Sequence, residues 1–186
     1  MRIFIHSVAV LFGALAFAVA GAGANVIEQQ DYSDVDSFTL NDCGFVLEGV
    51  AETSGHLLFR VDRTGQVFLA KDTYSFRTTL TNPATGRAFF LRGQGVYHEI
   101  AATPLGGTLY EVVAIEAGVP FTIVDSTGRV VLRDRGAIRI TYLFDSYGDG
   151  TPGGETVDVV DVVVHGPHPS FDTDFCQLAA ELTGAA

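Results

Sequence analysis

The chain has 186 residues, 47% of them hydrophobic, and 22 Asp and Glu residues against 11 Lys and Arg residues give a net charge of −11. Such an acidic surface repels the phosphates of nucleic acids and anionic lipids, so we expect neither as a partner. The apolar fraction suffices for the core of one domain.

Residues 1–24 have the layout of a cleavable secretory signal peptide. Arg2 precedes an apolar run, and the small residues Ala22-Gly23-Ala24 form a cleavage site before Asn25. An uncleaved membrane anchor is the alternative, because the run nearly reaches the roughly 20 residues of a spanning helix. Cleavage removes one basic residue, so 10 remain of 11 and the net charge becomes −12. We expect a secreted protein with one all-β domain at 25–186 and no membrane association after cleavage.

The sequence pattern of most of this domain predicts short β-strands. Apolar and polar residues alternate with a period of two, and turn motifs that contain glycine separate the segments. The predicted turns are Thr53–Gly55, Asp62–Gly65, Asn82–Gly86, Leu105–Gly107 and Asp125–Gly128. The predicted strands are Val35–Leu40, Phe45–Thr53, His56–Val61, Tyr74–Thr81, Arg87–Gly93, Gly95–Ile100, Thr108–Ile115, Phe121–Val124, Arg129–Arg133, Ala137–Phe144 and Val157–Val164.

These strands favour a single antiparallel β-barrel, because closure of the sheet removes exposed strand edges. A two-sheet β-sandwich is the alternative, since it requires the same alternation and equally short turns. Residues Phe175–Leu182 predict a short helical turn near the C-terminus.

Two cysteines, Cys43 and Cys176, lie near opposite ends of the domain. Export to an oxidising compartment makes a disulfide between them the expected state. In the chain-entropy account, a bridge that closes so long a loop stabilises the fold by roughly 5 kcal/mol.

The stretch DSYGDGTPGGE at 145–155 joins two predicted strands and is longer than an ordinary hairpin loop. Asp145, Asp149 and Gly150 occupy positions 1, 5 and 6 of an EF-hand-like loop, and Glu155 adds a third carboxylate. Tyr147 stands where a further ligand is required. The loop therefore predicts a weak calcium site, with a solvated loop as the alternative; we expect no other cofactor.

Candidates for acid or base chemistry are His56, His98 and Glu99, which lie in or beside predicted strands. No nucleophile elbow, phosphate-binding loop or dinucleotide motif is present in the sequence. Asp158 and Asp161 are an odd step apart, so a regular strand would direct them to opposite faces, which counts against a paired-carboxylate site.

The mature chain combines Cys43-Gly-Phe45, Leu80-Thr-Asn-Pro-Ala-Thr-Gly-Arg87, late glycine-rich hairpins and Cys176. In this combination it resembles a loosely defined group of small secreted β proteins of high-GC Gram-positive bacteria. The resemblance extends over nearly the whole mature chain, except for the long loop at 145–156. It implies an exported all-β domain and no particular activity.

Three functions are compatible with these patterns. The first is a non-enzymatic secreted barrel that binds a small apolar ligand or a cell-envelope component, since barrels of this size can enclose one small ligand. The second is a barrel-based isomerase, cyclase or hydrolase that uses His56, His98 or Glu99. The third is a structural surface protein with weak calcium binding. The oligomeric state is left open.

Overall fold

The computed structural model describes residues 26–61 and 67–185. The predicted signal peptide and the turn at 62–65 lie outside these ranges. Within them, no helix is both long enough and apolar enough to cross a bilayer. The strands are β1 Val26–Leu40, β2 Leu47–Val61, β3 Phe68–Asn82, β4 Arg87–Gly106, β5 Leu109–Val124, β6 Val130–Arg133, β7 Gly136–Asp145 and β8 Glu155–His165; a 3₁₀ turn at Pro169–Asp172 precedes helix α1, Phe175–Thr183.

All eight strands belong to one antiparallel sheet, so the all-β prediction is confirmed. The order is β1-β2-β3-β4-β5-β7-β8, and β6 pairs with the end of β5 that β7 leaves free. The sheet is open, so the predicted barrel is wrong; since the described strands form a single sheet, a two-sheet sandwich is wrong as well.

Strand direction gives the physical reason for the open sheet. Seven strands lie along the path and every neighbouring pair is antiparallel, so β1 and β8 run in the same direction. Direct closure would require a parallel pair between them, and parallel pairing is slightly less stable per residue.

One predicted turn, at Thr53–Gly55, and one predicted break between strands, at Gln94, lie inside strands. The segments predicted on either side of Gly55 form the single strand β2, and those around Gly95 form β4. The turns at Asn82–Gly86 and Asp125–Gly128 are confirmed by backbone hydrogen bonds from Gly86 N to Asn82 O and from Gly128 N to Asp125 O. Both turn glycines have positive φ, unlike the two strand glycines.

The strand glycines make room for aromatic rings. Four of them lie directly opposite an aromatic residue of the neighbouring strand. A Cβ built on Gly49, Gly55 or Gly93 would overlap the ring, whereas one built on Gly95 would lie 3.1 Å from the Tyr74 hydroxyl oxygen. Rings that cover glycines fix the register of a long sheet and accommodate its twist. The pairs are Phe38 with Gly49, Tyr32 with Gly55, Phe76 with Gly93, and Tyr74 with Gly95.

These rings lie on one side of the sheet, which we call the tyrosine face, and the other side is the opposite face. Because directly paired residues share a face and successive residues alternate, the register assigns every strand position. On β3, for example, Tyr74 and Leu80 lie on the tyrosine face, whereas Ser75 and Arg77 lie on the opposite face and are exposed.

Two apolar clusters lie on the tyrosine face. One comprises Leu47, Leu80, Phe89, Ile123, Leu132 and Ala179, and is covered by α1. The other comprises Val67, Tyr110, Val112, Ala114 and Tyr142. Phe89 is fully buried and contacts the ring of Phe175 in α1.

The predicted disulfide joins Cys43 to Cys176, with a sequence separation of 133 residues. It attaches α1 to the segment between β1 and β2, next to the first apolar cluster. The α1 prediction is confirmed: Asp174 accepts a hydrogen bond from Gln177 N at the start of the helix, and Gly184 ends it with a left-handed backbone.

Gly55→Ala tests the contacts between rings and glycines. The added methyl group overlaps the Tyr32 ring, so we expect a loss of about 1–3 kcal/mol in the free energy of unfolding. In a Tyr32→Ala background the same substitution should cost much less, because the ring is gone. Chemical denaturation of the four proteins of this cycle measures the coupling; equal costs in both backgrounds would refute the contact.

Candidate functional site

Polar side chains cluster at the middle of the tyrosine face. The register places Asp72 of β3 opposite Tyr97 of β4, and Tyr97 opposite Glu116 of β5, so the three form a row across the sheet. Glu99 follows two residues after Tyr97 and shares its face. Three carboxyl groups therefore surround one tyrosine.

Three hydrogen-bonding groups of the protein contact the carboxyl group of Glu99. Its Oε1 accepts hydrogen bonds from Tyr97 OH at 3.1 Å and from Tyr142 OH at 2.5 Å, and its Oε2 accepts one from Ala70 N at 2.5 Å. The two tyrosine oxygens also lie 2.9 Å apart. Two hydroxyl hydrogens cannot fill three oxygen–oxygen contacts: if both tyrosines donate to Glu99, the contact between them lacks a hydrogen, whereas a protonated Glu99 that donates to one tyrosine completes all three.

The surroundings of Glu99 favour this protonated form. Burial raises its pKa, and the hydrogen bonds from Ala70, Tyr142 and Tyr97 lower it by less. Burial raises the pKa of Tyr142, and the charge of Glu99 raises it further whenever Glu99 is ionised, so the Tyr142 hydroxyl keeps its hydrogen in either state of Glu99. A neutral carboxyl and two neutral hydroxyls can share their hydrogens without a buried charge.

Two further carboxyl groups flank Tyr97, that of Asp72 on β3 and that of Glu116 on β5. Tyr32 OH donates to Asp72 Oδ2 at 2.8 Å, and Tyr74 OH donates to Glu116 Oε1. The other oxygen of Asp72, Oδ1, is buried and has no hydrogen-bond partner in the described part of the chain. Burial raises the pKa of Asp72, and an unpartnered buried acceptor is costly unless a ligand or a water satisfies it.

The same row becomes apolar towards the far edge of the sheet. Glu116 lies opposite Ile138 of β7, which lies opposite Val164 of β8; the next row places Ile140 opposite Val162. The exposed fractions of Val164 and Val162 are 40% and 46%. The tyrosine face therefore changes from carboxyl groups to uncovered valines over two strand spacings, roughly 10 Å.

Two bulges in β8 produce this arrangement. The register shifts at Val157 and Val160, so Asp158 and Asp161 lie opposite Leu143 and Thr141 and share the opposite face. The sequence-based expectation that these aspartates point to different faces is wrong, because it assumed a regular strand. Glu155 also lies on the opposite face, since it pairs with Asp145, so the paired β8 residues of the tyrosine face carry no charge.

The residues proposed for acid or base chemistry do not converge. Glu99 lies on the tyrosine face, whereas His98, its neighbour in sequence, lies on the opposite face, where burial and the nearby Arg60 and Lys71 lower its pKa. His56 lies on that opposite face as well, with Nδ1 2.7 Å from Asp31 Oδ1. A shallow groove of about 520 Å³ on this face, lined by small and uncharged side chains of β2 to β5, contains neither histidine.

In the predicted calcium loop, Asp145 and Asp149 accept hydrogen bonds from other residues of the same loop. Tyr147 N donates to Asp145 Oδ1, and the backbone N and hydroxyl of Thr151 donate to Asp149 Oδ1. Hydrogen bonds from Thr108 and Tyr147 lower the pKa of Asp145, and those from Thr151 lower that of Asp149. Among the described residues, no three His, Cys, Asp or Glu side chains are grouped to hold a metal. The calcium site with Asp145, Asp149 and Glu155 stays a prediction.

Sequence reasoning did not identify Asp72, Tyr97, Glu116 and Tyr142. They come from four strands, and only the register brings them together. Two features could have indicated the site. Tyr97 and Glu99 are two residues apart in one strand, and Asp72 and Tyr74 show the same spacing, so each pair lies on one face of its strand.

Comparisons of this chain with known proteins found no relative. Neither the protein-family models nor the curated proteins nor the solved structures contain a match to this chain. The resemblance to small secreted β proteins therefore stays a prediction, and a functional assignment depends on the geometry of the tyrosine face.

Glu99→Gln tests whether Glu99 is protonated. The raised pKa means that the folded protein holds this proton more tightly than the unfolded chain. Wild-type stability therefore falls as the pH rises from the ordinary glutamate value of 4.5 through the folded pKa, by at most about 1.4 kcal/mol per pH unit. Glutamine lacks this penalty, and its amide can donate to a tyrosine oxygen while its carbonyl accepts from Ala70 N.

The measurement is the free energy of unfolding of both proteins across this pH range. We expect the stability of E99Q relative to wild type to increase with pH, whereas the exposed Glu52→Gln on the opposite face should show no such trend. A constant difference between E99Q and wild type would show that Glu99 is not preferentially protonated in the fold.

Proposed function

We propose that this chain is an exported, non-enzymatic protein that binds a small amphiphile on its tyrosine face. The row from Asp72 through Glu116 and Ile138 to Val164 is the observation that carries the proposal. It would receive a hydrogen-bond-donating head at the carboxyl groups and an apolar body along β7 and β8.

The carboxyl end of the row suits a cationic head. Among the described residues Asp72 Oδ1 has no hydrogen-bond partner, and Glu116 lies two strands away on the same row, so the row presents two carboxyl groups to an ammonium head. The rings of Tyr32 and Tyr74 add aromatic surface beside these acceptors, which also attracts organic cations. The acidic chain as a whole favours the approach of cations.

The apolar end of the row suits a short alkyl or ring system. Val159, Val162 and Val164 are exposed, whereas their neighbours Ile138 and Ile140 are partly buried, so the described chain leaves a continuous apolar strip uncovered. Each buried methylene of a ligand contributes about 0.8 kcal/mol. An open strip can accept ligands of different lengths, which fits a cell-envelope component better than an enclosed cavity would.

Export is supported by the disulfide between Cys43 and Cys176, because such bonds persist mainly in oxidising compartments. The enzymatic alternative has less support: His56 and His98 lie on the opposite face from Glu99, and both Glu99 oxygens are occupied by donors of the protein. A structural role would leave the unpartnered Asp72 oxygen and the exposed valines without a purpose.

Titration with amphiphiles tests the proposal. An alkylammonium, an alkyl alcohol and an alkyl sulfate of equal chain length are compared by calorimetry below their micelle concentrations. We expect the ammonium to bind best and the sulfate worst. Asp72→Asn should weaken binding of the ammonium by about tenfold, because a charge-assisted hydrogen bond is lost, and should change binding of the alcohol little.

Val164→Ser should weaken binding of the ammonium and the alcohol alike. Val35→Ser is the matched control, because Val35 is an exposed valine on the opposite face of β1. Equal affinity for all three head groups, or an equal effect of the two serine variants, would refute a site on the tyrosine face.

A further inference from the structure

The open sheet leaves strand β8 as an edge with unusual exposure. Ten of its 11 residues are exposed and only Val163 is partly buried, although five valines with exposed fractions of 39% to 58% lie in this strand. A long apolar edge offers unpaired backbone N–H and C=O groups to another strand. Natural edges of this kind are protected by charges or bulges, or they are paired with a partner.

The first half of β8 is protected against pairing with another strand, and the second half is not. Bulges at Val157 and Val160 interrupt the register there, and Asp158 adds a charge. From Asp161 to His165 the register with β7 has no shift, so this segment is a regular strand with a straight outer edge. Three consecutive valines lie between its two polar ends.

Residues 161–165 of one copy can pair with the same residues of a second copy. In an antiparallel pair with a two-fold axis at Val163, position 161 of one copy lies opposite position 165 of the other. Each Asp161 then lies opposite His165 of the second copy, on the opposite face. An imidazole N–H can donate to a carboxylate in either protonation state of histidine. On the tyrosine face each Val162 lies opposite Val164 of the second copy, so apolar surface meets apolar surface.

We propose that two copies of this chain form a dimer through residues 161–165 of β8, which extends the sheet across the two-fold axis. The proposal goes beyond ligand binding, because it concerns the strand edge and not the face. It places the two uncovered valine strips side by side. The dimer would therefore present one tyrosine face with two ligand sites.

The other free edge is less suited to this pairing. Strand β1 contains Glu28, Asp31, Asp34 and Asp36 and no basic residue, so two β1 edges would bring eight acidic groups together. Pairing of β8 with β1 of another copy related by translation would be parallel, because the two strands run in the same direction, and every pair in this sheet is antiparallel. A two-fold β8 pair is antiparallel and ends at two copies.

Only five residues on each side pair, so the contact is smaller than a standard stable interface. We therefore expect a concentration-dependent dimer, best measured by sedimentation velocity of the mature protein at moderate salt, where the repulsion between two acidic chains is screened. Amide hydrogen exchange at 161–165 should slow as the protein concentration increases, while exchange in β1 should not change.

A charge swap tests the register. His165→Asp places two aspartates opposite each other twice per dimer, and we expect the dissociation constant to increase by about tenfold or more. The double variant Asp161→His/His165→Asp restores the opposed pair, and we expect the dimer to return. Both positions are exposed in the single chain, so neither change should disturb the fold.

Val162→Lys on β8 and Val35→Lys on β1 form a matched pair of exposed valines on the two edges. Only Val162→Lys should abolish the dimer. A monomer at all concentrations, an unaffected His165→Asp, a double swap that fails to restore dimerisation, or an equal effect of the two lysine variants would each overturn the proposal.

Discussion

An antiparallel sheet with seven strands along its path cannot join its first and last strands as one more antiparallel pair. Here β1 and β8 run in the same direction, and the sheet stays open. The open sheet leaves β8 exposed and keeps the valines of the tyrosine face uncovered by other strands. The proposed ligand site and the proposed dimer edge therefore both depend on the count and the direction of the strands.

The pairing of glycines with aromatic rings makes this sheet possible and also forms its site. Strands of 15 to 20 residues must twist over a long distance, and glycines under rings allow close packing without a break in the ladder. Two of these rings, Tyr32 and Tyr74, also donate hydrogen bonds to carboxyl groups of the site. The residues that fix the register are thus the same residues that hold Asp72 and Glu116.

The sequence was sufficient for the class of fold, the disulfide and the C-terminal helix, because alternation, cysteine number and helix caps are local signals. It was insufficient for closure of the sheet, since alternation is the same in open and closed sheets. Gly55 was predicted in a turn and Gly95 at a strand start, because a glycine in sequence does not reveal the aromatic residue opposite it. The site was predicted only at Glu99; Asp72, Tyr97 and Glu116 meet through the register of three strands, and the bulges of β8 moved its aspartates to one face.

Amide hydrogen exchange in β1 of the monomer tests the open sheet most directly. In an open sheet, alternate amides of β1 point to solvent and exchange at rates close to those of an unfolded strand, whereas amides of β3 and β4 are protected from both sides. We predict this alternation along Val26–Leu40 at low protein concentration. Uniform protection of the β1 amides, equal to that of β3, would mean that another strand covers this edge and would contradict the account.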